Sequence, residues 1–290
     1  MDKSKYLHIS LLISLSFIWG SSFILIKKSL LVFNEHEIAL LRMTIAWLTL
    51  IPLCFKKIFL INKNIIGPIL VVALLGNGLP AFLFAKAQTQ ISSASAGILN
   101  SLVPIFTIFI GYSFYKKNVT KNQIIGVFIG LIGAIMIIIG ESKFITTNNY
   151  SFLIIIASLF YAINLNTIKF SLKGLSAIEI AGLAFFIIGP ICLIMLFFTN
   201  TCDKVLYEPK AIKALSYIFI LAFFGTSLAV IIFNYLIIKT SALYTSTVTY
   251  LIPVIALLWG TLDGEPITWL KVLGLYIIIS GLYLINKKNI

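Results

Sequence analysis

The chain has 290 residues, of which 60% are hydrophobic and only 11% are charged, and its formal net charge is +13. A soluble globular protein has about 25% charged residues, and a mean hydropathy of +1.07 would leave a very large apolar surface in water. The lysines stand singly or in pairs between apolar runs and form no basic stripe. The composition therefore indicates an integral membrane protein and argues against nucleic-acid binding.

Ten apolar runs approach or exceed the roughly 20 residues that an α-helix needs to cross a bilayer. The predicted spans are 7–27, 37–55, 65–88, 92–115, 121–140, 150–170, 176–199, 213–238, 241–262 and 268–286. Strands of a β-barrel would instead alternate over about ten residues. The first run is followed by Lys27 and Lys28 and by no small-residue cleavage site, so we interpret it as a retained span.

Lysines set the expected orientation of these spans. With ten spans both termini lie on one side, and that side carries more of the lysines. The positive-inside effect then predicts that both termini are cytoplasmic. We expect the protein to lie in the inner (plasma) membrane.

The two halves of the chain repeat one another, which indicates a duplication. The matched positions, in order, are Trp19 with Tyr161, Lys27 with Lys169, Glu37 with Glu179, Gly76 with Gly225, Phe84 with Phe233, Pro104 with Pro253, Gly126 with Gly274 and Gly133 with Gly281.

Each repeat unit, predicted as 1–145 and 146–290, contains five spans, so the second must enter the membrane inverted. This accounts for a basic loop at 116–121 and an acidic partner at 262–266. The expected fold is an all-α integral membrane protein of ten transmembrane helices, built as two inverted five-helix repeats. Such repeats are typical of secondary transporters, with the binding site between the halves.

Several short motifs resemble the EamA type of the drug/metabolite transporter superfamily, over nearly the whole chain. They are Ile18-Trp19-Gly20-Ser21-Ser22, Leu41-Arg42, Ser95-Ala96 through Pro104, Ser241-Ala242 through Pro253, and Gly264-Glu265-Pro266 followed by Gly274 and Gly281. The family usually carries the loop glutamate in both halves, whereas this chain has Lys117 where its second half has Glu265. The resemblance implies a carrier of small polar metabolites, often amino acids.

Polar side chains inside a span need a partner or a cavity, because lipid offers neither. They fall on one face of spans 1, 3, 4, 6, 8 and 9, the helices that the resemblance places around a central pathway. The candidate substrate-binding residues are Trp19, Ser22, Asn77, Asn100, Ser101, Tyr161, Asn164, Asn234, Thr249 and Tyr250. The alternative for each is that it holds neighbouring helices together by hydrogen bonds.

Pro104 and Pro253 each lack a backbone donor and are expected to kink their helices, which either frees carbonyls for the substrate or only bends the helix. Arg42 is expected to extend to the membrane surface or to pair with an acid there, with attraction of a substrate carboxylate as the alternative. Lys27 and Lys169, near span ends, are also expected to reach the surface.

The middle of each span lacks Asp and Glu, the three cysteines have no metal or disulfide spacing, and no ATPase or hydrolase motif is present. We therefore expect a transporter without metal or cofactor that is not an enzyme. It would work by alternating access on an amino acid or similar small metabolite. A non-transporting membrane subunit or a lipid-modifying membrane enzyme is the alternative, and a homodimer is left open.

Overall fold

The computed structural model describes residues 3–55, 63–91, 93–139, 149–262 and 268–286, and their regular secondary structure is helical throughout. The acidic loop predicted at 262–266 falls almost entirely outside these ranges. The helices are α1 (Lys3–Ser29), α2 (Glu35–Cys54), α3 (Lys63–Val71), α4 (Leu79–Ala87), α5 (Ser93–Asn100), α6 (Val103–Tyr115), α7 (Lys121–Ile139), α8 (Ser151–Ser171), α9 (Ala177–Leu196), α10 (Thr201–Tyr207), α11 (Ala211–Ala222), α12 (Ala229–Lys239), α13 (Ala242–Ser246), α14 (Val248–Leu262) and α15 (Trp269–Asn286).

Within the described ranges, seven stretches of helix are long and apolar enough to cross a membrane, and three apolar helices are shorter. The seven are α1, α2, α3 with α4, α8, α9, α11 with α12, and α15. The three shorter ones belong to α6, α7 and the α13–α14 region. The all-helical, multi-pass membrane fold predicted from the sequence is confirmed.

The acidic residues Glu37 and Glu179 begin helices α2 and α9. Each forms a capping box, in which Asn34 or Ser176 accepts from the glutamate backbone N–H and the glutamate carboxylate accepts from the backbone of the cap. Glu37 is fully buried, and the Lys204 ammonium of α10 lies 2.7 Å from its Oε2. These two acids therefore stabilise the starts of their helices, as their repeat-related positions suggest.

Helices α7 and α15 pack through glycines that match one another between the halves. A Cβ added at Gly126 would lie 2.7 Å from the carbonyl oxygen of Gly281, and one added at Gly133 would lie 2.7 Å from that of Gly274. Because Gly126 matches Gly274 and Gly133 matches Gly281, these two contacts are equivalent under the repeat alignment. The small residues thus allow two backbones to approach closely.

Helices α2 and α9 form a second pair of repeat mates. The alignment that matches Glu37 with Glu179 also matches Trp47 with Gly189, and the Trp47 ring occupies the space that a Cβ at Gly189 would need. The Cys54 side chain likewise occupies the space that a Cβ at Gly182 would need. The second and fifth predicted spans of each half therefore pack against their counterparts in the other half.

The predicted fourth and ninth spans are interrupted near their prolines. The fourth divides into α5 and α6, with Pro104 in the first turn of α6, and the ninth divides into α13 and α14, with Pro253 inside α14. Proline at position 253 cannot donate to the carbonyl of Thr249, and this oxygen instead accepts from Ser101 Oγ at 3.3 Å. The freed carbonyl is thus used for a contact between the halves.

Two π-helical segments, Val72–Gly78 and Phe223–Leu228, interrupt the third and eighth spans at matching places. The sequence did not indicate them. A side chain of each segment also donates to the carbonyl five residues before it: Asn77 Nδ2 to Val72 at 2.9 Å and Thr226 Oγ1 to Leu221 at 3.2 Å. Single π turns inside α-helices occur frequently at functional sites.

We expect Gly133→Ala to lower the free energy of unfolding by about 1–3 kcal/mol, the usual cost of overpacking. The added methyl would meet the backbone of α15, which cannot move aside as a flexible side chain can. Thermal unfolding of the detergent-solubilised protein measures this as a lower midpoint. Gly67→Ala, where nothing lies within 4 Å of the new atom, is the matched control and should not lower it. Equal stability of Gly133→Ala and the wild type would contradict this packing.

Candidate functional site

A central cavity lies among α1, α2, the two π segments and the helices that follow them, α8, and the interrupted fourth and ninth spans. Eight of the ten candidate residues line it: Trp19, Ser22, Asn77, Asn100, Tyr161, Asn164, Asn234 and Thr249. The apolar part of the lining includes Phe23, Ile26, Met43, Phe84, Val103, Val230, Phe233, Val248 and Ile252. The cavity wall is mainly apolar, with a small number of amide, hydroxyl and cationic groups.

Aromatic side chains occupy equivalent positions on two sides of the cavity. The Trp19 ring meets Phe233 edge-on with ring centroids 5.0 Å apart, and the repeat-related Tyr161 ring lies 6.1 Å from Phe84. The indole N–H of Trp19 also donates to the Gly225 carbonyl at 3.0 Å. These pairs form two opposed walls related by the repeat.

Two glycines let polar side chains of the neighbouring helix reach the backbone of the π segments. A Cβ on Gly76 would lie 2.5 Å from Asn164 Oδ1, and one on the equivalent Gly225 would lie 2.9 Å from Ser22 Oγ. Ser22 and Asn164 are themselves repeat mates. The two contacts are equivalent, so the cavity has an approximate internal symmetry.

Arg42 breaks that symmetry. Its guanidinium lines the cavity, where Nε donates to Thr226 Oγ1 at 2.7 Å and Nη2 to the Gly225 carbonyl at 3.4 Å. The repeat mate of Arg42 is Ala184, a buried apolar residue. The expectation that Arg42 extends to the surface or pairs with an acid is therefore wrong, because hydrogen bonds to the second π segment hold it against the cavity.

Two amide oxygens of residues in the cavity wall have no hydrogen-bond partner among the residues that the structure describes. Asn100 is 6% exposed and Asn164 is 4% exposed, and the Oδ1 atom of each is buried and unpaired. A buried acceptor without a donor costs about 1–3 kcal/mol. Both residues line the cavity, so rotation of either amide would bring its oxygen to a donor bound there.

Thr249 and Asn234 line the cavity with their side chains already engaged. Thr249 Oγ1 donates to the Ser246 carbonyl at 3.0 Å, and Asn234 Nδ2 donates to the Ala177 carbonyl at 3.4 Å. A ligand could bond to the lone pairs and protons of Thr249 and Asn234 that these two contacts do not use.

Ser101 and Tyr250 do not line the cavity, which corrects their predicted placement. Ser101 is fully buried and bonds to the carbonyls of Gly97 and Thr249. The Tyr250 hydroxyl donates to the Val127 carbonyl at 2.8 Å, and its ring packs on Gly130 of α7. Both side chains join helices, as the alternative interpretation proposed.

Lys169 also departs from its expected place at the surface. Its ammonium group donates to three carbonyls at the end of α12, those of Ile237 at 3.0 Å, Ile238 at 2.9 Å and Thr240 at 2.7 Å. A cation at a helix C-terminus is stabilised by the helix dipole. The repeat mate Lys27 is exposed, and the structure gives it no comparable contact within the described residues.

The comparisons with known proteins agree with this architecture. The family model described as "EamA-like transporter family" matches the chain twice, over residues 7–139 and 149–287. The chain belongs to the EamA-like transporter family. It is a multi-pass membrane transporter, and the double match follows the division into two halves.

Relatives of this EamA-like transporter cover almost its full length. It is 25% identical to an uncharacterized transporter of Archaeoglobus fulgidus, over 93% of this chain and 95% of the relative. It is 27% identical to the uncharacterized inner membrane transporter YedA of Escherichia coli K12, over 95% of this chain and 89% of the relative. A solved crystal structure with 14% identity covers 98% of this chain and 97% of its own at a TM-score of 0.71, and shares the fold.

The cavity residues of this EamA-like transporter that sequence reasoning missed include Arg42, Thr226 and the aromatic pair Phe84 and Phe233. A signal for three of them was present. Phe84 and Phe233 are repeat mates, and Thr226 is the repeat mate of the candidate Asn77. The repeat mate of Arg42 is the apolar Ala184, so the repeat could not indicate Arg42, and its attraction of a substrate carboxylate was only the alternative to a place at the surface.

We expect Asn100→Ala to affect transport and Tyr250→Phe to affect stability. Asn100→Ala removes a cavity acceptor and should reduce transport about tenfold, equivalent to about 1.4 kcal/mol, with little change in melting temperature. Tyr250→Phe removes the hydroxyl bonded to Val127, so it should lower the melting temperature and leave transport per folded molecule intact. Uptake into liposomes and thermal unfolding measure the two. The reverse assignment of effects would overturn this description of the cavity.

Proposed function

We propose that this protein is a ten-span secondary transporter of the inner membrane that moves a small polar metabolite, an amino acid or a related compound, by alternating access. The observation that carries the proposal is the cavity formed by matching residues of both halves. A site between two repeats lets each side of the membrane be reached by an equivalent movement of one half against the other.

The chemistry of the cavity wall supports the substrate class. Small-molecule sites are mostly apolar with a few placed polar groups, and this one combines opposed aromatic walls with a cation and two unpaired amide oxygens. An amino acid offers both charged ends and an apolar portion. A wholly apolar ligand would leave the cation and the amides unpaired.

The difference between Lys169 and Lys27 supports alternating access. Lys169 joins α8 to the end of α12 at one end of the molecule, whereas its mate Lys27, at the opposite end, is exposed. The carbonyls equivalent to those bound by Lys169 are those of Gln88, Thr89 and Ile91, which follow α4. In the alternate state we expect Lys27 to bind these carbonyls and Lys169 to release its own.

The ten-span arrangement is supported by the shorter apolar helices. The interrupted fourth and ninth spans, together with α7, add three crossings to the seven long stretches. The excess of lysine on the side of the termini supports a cytoplasmic location for both. The inner-membrane name of the YedA relative supports the same membrane for this chain.

Transport is tested with the purified protein in liposomes preloaded with unlabelled amino acids. We expect a labelled amino acid from a panel to enter by saturable counterflow, because a carrier that alternates exchanges substrate without net energy input. Liposomes without protein are the control. If no member of the panel enters faster than in the control, the proposed substrate class is wrong.

Orientation is tested with the native thiols. Cys202 is exposed in α10, whereas Cys54 and Cys192 are buried. A membrane-impermeant maleimide added to intact cells should label the native protein at Cys202, since the proposed topology places α10 outside. In the Cys202→Ser background, Lys116→Cys should be labelled only after permeabilisation. Labelling of Lys116→Cys in intact cells, with protection of Cys202, would reverse the topology.

A further inference from the structure

We propose that Arg42 binds the carboxylate of the transported metabolite, that the Oδ1 atoms of Asn100 and Asn164 accept from its ammonium group, and that the protein therefore selects substrates that carry a free carboxylate. This inference rests on the proposed function and specifies the ligand chemistry of the same cavity. It states which end of the substrate lies at Arg42, and it makes Arg42 the residue that selects for a carboxylate.

The first argument is the absence of a protein counterion. Among the described residues, each acidic side chain whose contacts the structure gives is engaged away from Arg42. Glu35 pairs with Lys86, Glu37 pairs with Lys204, and Glu179 caps the start of α9. A cation withdrawn from water is costly unless it is paired. A substrate carboxylate would supply the missing charge.

The second argument is the way in which Arg42 is held. Its hydrogen bonds to Thr226 and Gly225 use Nε and one donor of Nη2, and a guanidinium has five N–H donors. Thr226 is held in turn because its hydroxyl donates to the Leu221 carbonyl at 3.2 Å. The π segment therefore orients the planar guanidinium of Arg42. Its remaining N–H donors have the geometry to bind a carboxylate.

The third argument is the asymmetry of charge. Arg42 lies on the side of the second π segment, whereas the corresponding position Ala184 faces the first one with no charge. Asn164 contacts the first π segment at Gly76. The cavity thus offers a cation at one π segment and an unpaired oxygen at the other, which fits the two ends of a zwitterion in one orientation.

The test compares each amino acid of the panel with its carboxamide, which keeps the ammonium group and side chain but lacks the negative charge. Competition against labelled amino acid counterflow in liposomes gives the inhibition constants. For the wild type we expect the acid to compete at least tenfold better than the amide. In Arg42→Gln the preference should fall to about one. A wild type that does not distinguish acid from amide, or an Arg42→Gln variant that keeps the preference, would overturn the inference.

Two further variants separate binding from folding. Thr226→Val keeps the shape of the residue but removes the acceptor for Arg42, so the acid preference should fall several-fold while the melting temperature changes little, and Thr226→Ser should restore it. Lys86→Gln removes a cation bonded to Glu35 outside the cavity lining and should leave the preference unchanged. Loss of the preference in Lys86→Gln equal to that in Arg42→Gln would show a general charge effect and contradict the proposal.

The outcomes also distinguish the two levels of proposal. Counterflow of an amino acid without preference for its carboxylate would leave the transport function in place and reject only the role of Arg42. Absence of counterflow and of competition by every acid in the panel would reject both.

Discussion

The close approach of repeat-related helices is the constraint on which the rest of the structure depends. At the α7–α15 pair, Gly126 and Gly133 let one backbone contact the other, and at the α2–α9 pair Gly189 accommodates the Trp47 ring. In these two pairs each helix packs on its own counterpart from the other half. The remaining spans surround the cavity, and repeat-related residues of the two halves line it.

The positions that depart from this symmetry determine the chemical differences between the two halves. The aromatic walls, the π segments and the glycine contacts occur twice, which suits a site that must be reached from both sides. Arg42 and the contacts of Lys169 occur once. The first difference gives the cavity a charged end, and the second distinguishes the two ends of the molecule. Under the proposed function, the Arg42 guanidinium in the wall of an otherwise symmetric cavity would orient a zwitterionic ligand.

Much of this could be predicted from sequence, and the failures have physical causes. Hydropathy and the internal repeat identified a helical membrane protein and eight of the residues that line the cavity. Asn100 with Ser101, and Thr249 with Tyr250, are neighbours on a helix, and successive residues point about 100° apart at 3.6 residues per turn, so only one of each pair faces the cavity. The π segments could not be predicted, because neither hydropathy nor the repeat specifies which carbonyl each backbone N–H bonds. Arg42 was misplaced because distance from a helix end says nothing about the face on which a side chain lies.

The most direct test of the account is a pair of distances measured at the two ends of the same molecule. Spin labels at Lys28 and Thr89 report on one end, and labels at Ser171 and Lys239 report on the other, all at exposed positions in a Cys202→Ser background. On addition of a transported amino acid we predict that part of the population shows a shorter distance at the first end and a longer distance at the second. Distances that stay fixed, or that change in the same direction at both ends, would contradict a cavity that opens to one side at a time.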